Sequence, residues 1–232
     1  PFMAFKIYFK IYIKELESHS HLVYNLKLEE IKEVSMENIY FISDTHFGHW
    51  FAVWFWNRPF KNIREMNNVL IDNWNSRIKD EDVVVIVGDF FAGNKLFSKY
   101  LLKNLNGDKI FIKGNHDFKF RYKKLLDSRD IKIYNRIEFS LNDNHFILTH
   151  KPMKNVPEDV INIHGHHHRK LLPSKYKKDR YFNVAVDHND YKPISIDEIV
   201  EYKLGETNVD KFNIIEQIKY SNLNRKYAIS LA

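Results

Sequence analysis

The chain has 232 residues and a mass of 28.0 kDa, with 44% hydrophobic residues, 28% charged residues and a formal net charge of +6. This composition suits one globular domain, and it excludes a membrane-spanning protein because no apolar run approaches the ~20 residues that a bilayer requires. Cysteine is absent, which excludes disulfides, thiolate catalysis and every cysteine-based zinc site. Because the start shows no secretory pattern either, we expect a cytoplasmic protein without a membrane partner.

The first 35 residues carry no recognisable chemical motif. Phe5–Lys14 alternates apolar residues with Lys or Tyr, which predicts an exposed edge strand. Residues 1–35 are interpreted as a non-native extension, because Met36 stands directly before the first strand-like run and Lys32–Ser35 can be encoded by a ribosome-binding sequence. On this hypothesis the native start is Met36.

Three apolar strands alternate with two amphipathic helices in the first half of the chain. The runs Ile39–Ile42, Val83–Val87 and Lys109–Ile112 predict strands. Apolar spacing predicts helices over Arg64–Ile78 and Lys95–Leu105. Strands joined by helical crossovers run parallel, so we expect their carboxyl ends to lie on one edge of a sheet.

The second half is richer in short strands than in helices. Five strands are predicted, at Ile131–Tyr134, Arg136–Leu141, His145–Thr149, Val160–Ile163 and Tyr181–Val186. Asn142–Asn144 predicts a hairpin turn. We therefore expect an α/β fold in which two β-sheets pack face to face with helices outside, an αββα sandwich over residues 36–204. Residues 205–232 are predicted to form a helical tail packed on this domain, with its helix over Lys211–Tyr220.

Polar clusters follow five of the strand-like runs. They read Asp44-Thr45-His46, Gly88-Asp89, Gly114-Asn115-His116-Asp117, Thr149-His150 and Gly165-His166-His167-His168. Carboxyl ends of strands gather on one side of an α/β sheet, so these clusters can meet in one crevice. Seven side chains there offer the O and N donors that bind divalent metals, namely Asp44, His46, Asp89, Asn115, His150, His166 and His168. One ion needs only three or four ligands, so seven predict a dinuclear centre, with Asp89 as the shared carboxylate.

The order of these clusters resembles the calcineurin-like metallophosphoesterase superfamily, whose pattern D-x-H, G-D, G-N-H-D/E, H and G-H-x-H is complete between residues 37 and 200. The resemblance implies a metallophosphatase-like fold and a phosphate-ester hydrolase with two divalent ions. It implies that one ion is held by Asp44, His46, Asp89 and His168, and the other by Asp89, Asn115, His150 and His166. Mn is expected first, with Fe, Zn, Co and Ni as alternatives.

The same resemblance implies a mechanism in which a metal-activated hydroxide attacks the phosphorus. His116 is implied to protonate the leaving group or to stabilise the transition state. Asp117 is predicted to orient this loop without binding a metal. His49 and Arg58 are predicted to contact the substrate at the mouth of the cleft. The alternative is a surface salt bridge for Arg58 and a core or loop role for His49.

Departures from the superfamily pattern narrow the class. Phe90-Phe91-Ala92 stands where the eukaryotic Ser/Thr phosphatases have a second Asp-Arg pair, and Lys113 replaces their Arg, so protein phosphatase activity is not expected. The chain is more similar to compact, single-domain bacterial and phage members. That similarity lies in Ser43–His49, Asn57–Phe60 and Asn183–Asp187.

Two further segments have open roles. Trp50–Trp56 carries five aromatic residues, which are either core residues or a stacking platform for a nucleobase. Phe118–Lys124 mixes basic and aromatic residues, which indicates either contact with a larger polyanion or a solvated helix. We expect hydrolysis of a phosphodiester or phosphomonoester, with a nucleotide-like substrate. The alternatives are a nuclease of this superfamily that acts on DNA or RNA and a non-catalytic binding scaffold; the oligomeric state is left open.

Overall fold

The computed structural model describes residues 38–117, 125–126, 131, 133–141, 144–170, 172–173, 176, 178–205, 214–215 and 217–218. All of them belong to the compact unit Met36–Ala232. Three predictions concern residues outside this described part of the chain. They are the strand Phe5–Lys14, the non-native extension at residues 1–35 and the role of Phe118–Lys124. Within the described part of the chain, no helix has both the length and the apolar character needed to cross a membrane.

In the described part of the chain, sheet 1 has five strands in the order β4-β3-β2-β1-β9. They are β1 (Ile39–Ile42), β2 (Val83–Val87), β3 (Asp108–Ile112), β4 (Ile133–Tyr134) and β9 (Ile194–Ser195). β1 to β4 pair in parallel, whereas β9 is antiparallel to β1. β2 is a continuous run of Val and Ile because it is buried on both faces and has no polar side. The carboxyl ends of β1, β2 and β3 therefore share one edge of the sheet.

The described residues form four strands in sheet 2, in the order β5-β6-β7-β8. They are β5 (Ile137–Leu141), β6 (Asn144–Thr149), β7 (Val160–His164) and β8 (Tyr181–Asn183). β5 and β6 are antiparallel, and β6, β7 and β8 are parallel. The strand predicted over Tyr181–Val186 is shorter than expected, because the chain turns into a 3₁₀ helix at Val186–His188. Residues 142 and 143 of the predicted turn lie outside the described residues.

Among the described residues, the helices with defined bounds are α1 (Ala52–Phe55), α2 (Ile63–Arg77), α3 (Lys95–Asn104) and α4 (Ile196–Leu204). The predictions for α2 and α3 are confirmed to within one residue at each end. Both helices begin after an asparagine whose side chain accepts a backbone N–H bond, Asn62 for α2 and Asn94 for α3. Helix α4 was not predicted from the sequence; it begins with a capping box between Ser195 and Glu198.

Two apolar clusters form the core on the two faces of sheet 1. The first lies between the sheets, where alternate residues of β1 to β3 join those of β5 to β7; the Phe41 and Phe139 rings stack with centroids 6.5 Å apart. It also includes residues of α4 and three buried helical residues of the tail, Ile214, Ile215 and Ile218. The second lies between sheet 1 and helices α2 and α3, around Trp74. The predicted α/β fold with two sheets flanked by helices is confirmed.

Candidate metal centre

Loops at the carboxyl ends of five strands hold all seven candidate ligands. Asp44 and His46 follow β1, Asp89 follows β2, Asn115 follows β3, His150 follows β6, and His166 and His168 follow β7. Backbone hydrogen bonds join the edges of the two sheets, because Ser43 N–H donates to the Val184 carbonyl and Val186 N–H to that of Ser43. Residues more than 120 positions apart in the sequence therefore lie in one place.

Four of the seven candidate ligands have a left-handed backbone conformation, which residues other than glycine seldom adopt. The φ angles are 58° at Asp44, 49° at His46, 53° at Asp89 and 68° at His166. The loops after β1 and β2 support each other, because Asp44 N–H donates to the Gly88 carbonyl and His46 N–H to that of Asp89, both at 3.1 Å. Strain that the surrounding structure enforces is typical of functional sites.

The first candidate group consists of Asp44, His46 and His168, each with one ligand atom within 4.8 Å of the others. His46 Nε2 lies 3.9 Å from Asp44 Oδ1, and His168 Nε2 lies 3.5 Å from the same oxygen. Asp44 and His46 are fully buried, and His168 is 9% exposed. A carboxylate and two imidazoles at this spacing form a donor set suited to a first-row divalent metal.

The second candidate group consists of Asp89, His150 and His166, again with ligand atoms within 4.8 Å of one another. His150 Nε2 lies 3.1 Å from Asp89 Oδ2 and 3.0 Å from Asn115 Oδ1, so Asn115 joins the same cluster. Asp89 Oδ2 also lies 3.9 Å from His46 Nε2 in the first group. One carboxylate oxygen thus faces both groups, which is the position that a bridging ligand requires.

The hydrogen bonding of the buried polar atoms in the first group shows whether the group fits a metal. Among the described residues, Asp44 Oδ1 and both ring nitrogens of His46 are buried without a hydrogen-bond partner. Such atoms are costly to bury, and a cation bound to Asp44 Oδ1 and a His46 nitrogen would satisfy them. Burial also lowers the pKa of His46 well below its ordinary value, so the ring is neutral, the form that binds a metal. The first group therefore fits a divalent ion.

The second group contains a hydrogen-bonded pair, His150 and Asp89. Burial by itself would lower the pKa of His150, but the hydrogen bond to Asp89 and the charges of Asp44 and Asp89 raise it to about 9. Burial likewise acts to raise the pKa of Asp89, whereas its hydrogen bond with His150 and the charge of His150 lower it overall. Without a metal, both ring nitrogens of His150 therefore carry a proton near neutral pH, and a cation bound at Nε2 and Asp89 would have to displace the Nε2 proton.

The loop after β3 places His116 beside the ligands and Asp117 beneath them. His116 is exposed, and its ring centroid lies 5.3 Å from that of His46. Its backbone N–H donates to Asp89 Oδ1 at 2.7 Å. Asp117 accepts backbone N–H bonds from Asp89 at 2.7 Å and from Phe90 at 2.9 Å. Asp117 thus holds the loop that carries Asp89, while the side chain of His116 is accessible to solvent.

Arg58 lies in the interior and not at the mouth of the cleft, which corrects the position predicted from the sequence. Its residue is 3% exposed, and its Nε and Nη2 atoms donate to the two carboxylate oxygens of Asp187 at 3.0 and 2.8 Å. The guanidinium also donates to the carbonyls of Asp44 and Thr45. The salt bridge considered as an alternative therefore exists, but it is buried, because the chain folds back over Arg58.

Asp187 is a residue of this site whose role was not predicted from the sequence. Its Oδ2 accepts a hydrogen bond from His168 Nδ1 at 2.8 Å, so it orients a candidate ligand. The only signal in the sequence was its place in the segment Asn183–Asp187, which resembles the bacterial and phage members.

Gly165 allows the loop after β7 to approach Asp44. A Cβ atom at this position would collide with Ser43 Oγ and with Asp44 Oδ2, so only glycine fits. The next residue, His166, donates its backbone N–H to Asp44 Oδ2 at 2.8 Å. This contact ties a loop of sheet 2 to a candidate ligand that follows sheet 1.

Aromatic rings line the first group on the side of α1. Trp56 stacks on His168 with ring centroids 3.9 Å apart and an interplanar angle of 16°. His49 is partly buried, and its ring lies 5.5 Å from His46 and 5.6 Å from Trp56. Burial lowers the pKa of His49, which favours a neutral ring. His49 therefore belongs to the wall of the site.

The other four aromatic residues of this segment form an exposed patch, called here the aromatic patch. Their exposed fractions are 69% for Trp50, 41% for Phe51, 78% for Trp54 and 67% for Phe55. The interpretation of these four residues as core residues is therefore wrong. Exposed aromatic side chains next to a site are typical of binding surfaces.

Comparisons with known proteins agree with this geometry. The family model for calcineurin-like phosphoesterases matches residues 37–220. Uncharacterized protein MJ1445 of Methanocaldococcus jannaschii is 41% identical over 175 residues, which cover 72% of this chain and 92% of that protein. The Gene 66 protein of Mycobacterium phage D29 is 26% identical over 182 residues, 66% of this chain and 89% of the phage protein.

A solved structure is similar as well. The protein of unknown function AQ665 from Aquifex aeolicus superposes with a TM-score of 0.59 at 29% sequence identity. The match covers 72% of this chain and 99% of the Aquifex protein. All three relatives are thus matched over nearly their whole length.

Proposed function

Because this chain belongs to the calcineurin-like phosphoesterase family, whose members depend on metals, we propose that it hydrolyses phosphate esters with two divalent ions. The observation that carries the proposal is the convergence of two ligand groups on one oxygen of Asp89. Asp44, His46 and His168 would hold one ion, and His150, His166 and Asn115 the other. Mn²⁺ is the ion we propose first, since the donors are oxygen and nitrogen without sulfur.

The ions, when bound, supply positive charge for the phosphate oxygens and lower the pKa of a water molecule toward ~7. The residues of the chain determine the positions of the ions and of this water molecule. The left-handed backbone at Asp44 and Asp89 presents both carboxylates to the same space, and Asp117 holds the Asp89 loop through backbone N–H bonds. Preorganised ligands of this kind need little rearrangement when a substrate binds.

We assign the protonation of the leaving oxygen to His116. Its imidazole is exposed next to His46, so it can contact a substrate without displacing a ligand. Its backbone N–H bond to Asp89 Oδ1 fixes its distance from the bridging carboxylate. A positioned proton donor of this kind contributes about 10²- to 10⁴-fold to the rate.

A nucleotide-like substrate is supported by the aromatic patch. Its residues lie between His49 and Trp56, and both of these rings contact the first ligand group. We propose that the base of a substrate whose phosphate is at the ions contacts α1, where aromatic faces can stack on it. Phosphodiesters and phosphomonoesters of nucleosides both meet this description, and a nuclease would use the same platform on a longer strand.

Hydrolysis of bis-p-nitrophenyl phosphate and p-nitrophenyl phosphate tests the proposal. The full chain, stripped with a chelator, should be inactive and should hydrolyse at least one of the two esters when Mn²⁺ is restored. His116→Ala should lower kcat about 10²- to 10⁴-fold while Mn²⁺ binding is retained. His145→Ala, at the opposite end of β6 from His150, is the matched control and should keep full activity.

The outcomes separate the candidate functions. If neither ester is cleaved with any divalent ion, the non-catalytic scaffold replaces the hydrolase. Full kcat in His116→Ala would contradict the role assigned to that residue. Degradation of single-stranded DNA or RNA that weakens steeply with salt would favour the nuclease, since contacts to many phosphates are strongly salt-dependent.

A further inference from the structure

We propose that Arg58 and Asp187 are positioning residues for only one of the two metal sites, the site of Asp44, His46 and His168. The inference rests on the proposed function, since it assigns residues that support that metal centre. It differs from the contact predicted from the sequence, because neither residue is placed against the substrate. Both side chains are buried: in each the side-chain exposure is 0%.

The guanidinium of Arg58 uses all five of its N–H donors in fixed directions. Nε and Nη2 donate to the two oxygens of Asp187, and Nη2 donates to the Asp44 carbonyl at 2.6 Å. Nη1 donates to the Thr45 carbonyl at 3.1 Å and to Met66 Sδ at 3.3 Å. These bonds hold the strained backbone at Asp44, where φ is 58°. A planar fork of five donors is specific to arginine.

Asp187 fixes the ring of His168. His168 Nδ1 lies 2.8 Å from Asp187 Oδ2, the same oxygen that Arg58 Nη2 contacts at 2.8 Å. Because the carboxylate only accepts, Nδ1 carries the proton and Nε2 is left with its lone pair toward Asp44 Oδ1, 3.5 Å away. Trp56 covers one face of the same ring. The tautomer and the orientation that a metal ligand needs are therefore set together.

The other metal site is supported differently. His150 Nδ1 lies 2.9 Å from the Val87 carbonyl, so a backbone group of β2 sets its tautomer. Within the described part of the chain, no hydrogen bond of Arg58 or Asp187 reaches Asp89, His150 or His166. Loss of the Arg58–Asp187 pair should therefore weaken one ion selectively, which a general loss of stability would not do.

Metal titration of the full chain tests this inference. Wild-type protein, Asp187→Asn and Arg58→Lys are titrated with Co²⁺ by calorimetry, and the far-UV circular dichroism of each is recorded. Asp187→Asn keeps the shape of the side chain but removes its charge, and Arg58→Lys keeps the charge but removes the fork. Each variant should bind one of two ions about 10- to 100-fold more weakly and the other within threefold of wild type.

Matched controls are chosen for each change. Asp190→Asn makes the same substitution at an exposed position in the same loop, and Arg77→Lys makes it in a partly exposed salt bridge of α2 with Glu198. Both should bind two ions as the wild type does. If one of the buried variants does not fold, the other carries the test by the same criterion.

Three results would overturn the proposals, and they differ. If Asp187→Asn and Arg58→Lys both bind each of the two ions with wild-type affinity, the positioning role is contradicted. An equal loss at both ions would show that the pair acts on the whole fold and not on one site. A wild-type protein that binds fewer than two ions would instead contradict the proposed function.

Discussion

Asp44, His46, Asp89 and His166 combine a candidate ligand side chain with a positive φ angle. Each such conformation costs of the order of 1–3 kcal/mol for a residue other than glycine, and persists only where neighbouring contacts enforce it. In this chain those contacts are backbone bonds between the loops after β1 and β2, together with the bonds of Arg58. The ligand positions are therefore a property of the fold.

Asp117→Asn tests how far the Asp89 loop depends on one side chain. The carboxylate accepts backbone N–H bonds at both oxygens, so an amide would turn its NH₂ toward a backbone N–H on one side. We expect the free energy of unfolding to fall by about 1–3 kcal/mol, measured by urea denaturation. Asp80→Asn, at an exposed position, should leave it unchanged. Equal midpoints for both variants would show that Asp117 does not hold the loop.

Residues of the site differ in how well the sequence predicts them. Ligands such as Asp44 and His150 belong to short motifs that directly follow a predicted strand. Because the carboxyl ends of parallel strands gather on one side, these ligands could be predicted to lie together. Arg58 has no such pattern, because its role depends on a partner 129 residues away, Asp187, and on burial that only the fold creates. Charge and spacing alone therefore favoured a surface contact for a residue that is in the interior.

At the scale of the elements, α1 and the turn before it combine an apolar, aromatic sequence with an exposed position. Helix α1 is four residues long, and with the preceding turn it exposes the four large aromatic side chains of the aromatic patch. Exposed apolar area of this kind is not explained by packing. We therefore relate it to the neighbouring site.

Trp54→Ala tests the aromatic patch. Because stacking on a base is worth about 1–3 kcal/mol, the KM for a nucleotide should rise about fivefold or more. The KM for the corresponding sugar phosphate without a base should stay the same. Leu96→Ala is the matched control, since Leu96 and Trp54 are both 78% exposed. A change in both KM values, or in neither, would argue against a base-binding platform.

The elements themselves were predicted where their periodicity was strong. β2 and α2 follow from a continuous β-branched run and from regular apolar spacing. The two-residue strand β9 is too short to carry a period, and α4 begins directly after it, so the sequence analysis did not predict either element. The end of β8 was misplaced because the chain leaves sheet 2 after Asn183, forms only a single bridge with Ser43 through Ala185, and then enters the 3₁₀ helix Val186–His188.

At the scale of the whole molecule, the two sheets are joined where the candidate ligands lie. Sheet 1 contributes loops with Asp44, Asp89 and Asn115, and sheet 2 contributes loops with His150 and His168. The parallel strands of each sheet direct their carboxyl ends to this junction, which is why the sequence could predict that the polar clusters meet. Distances within the junction depend on the packing between the sheets, so they required the structure.

The number of Mn²⁺ ions bound per chain tests the central claim most directly. Elemental analysis of the full chain, after incubation with Mn²⁺ and removal of unbound ion, should give two ions per chain. Asp89→Asn should reduce this number, because the substitution removes the negative charge of the side chain that faces both groups. Two ions in both proteins would contradict a shared Asp89, and a wild-type protein with no bound ion would contradict the metal centre itself.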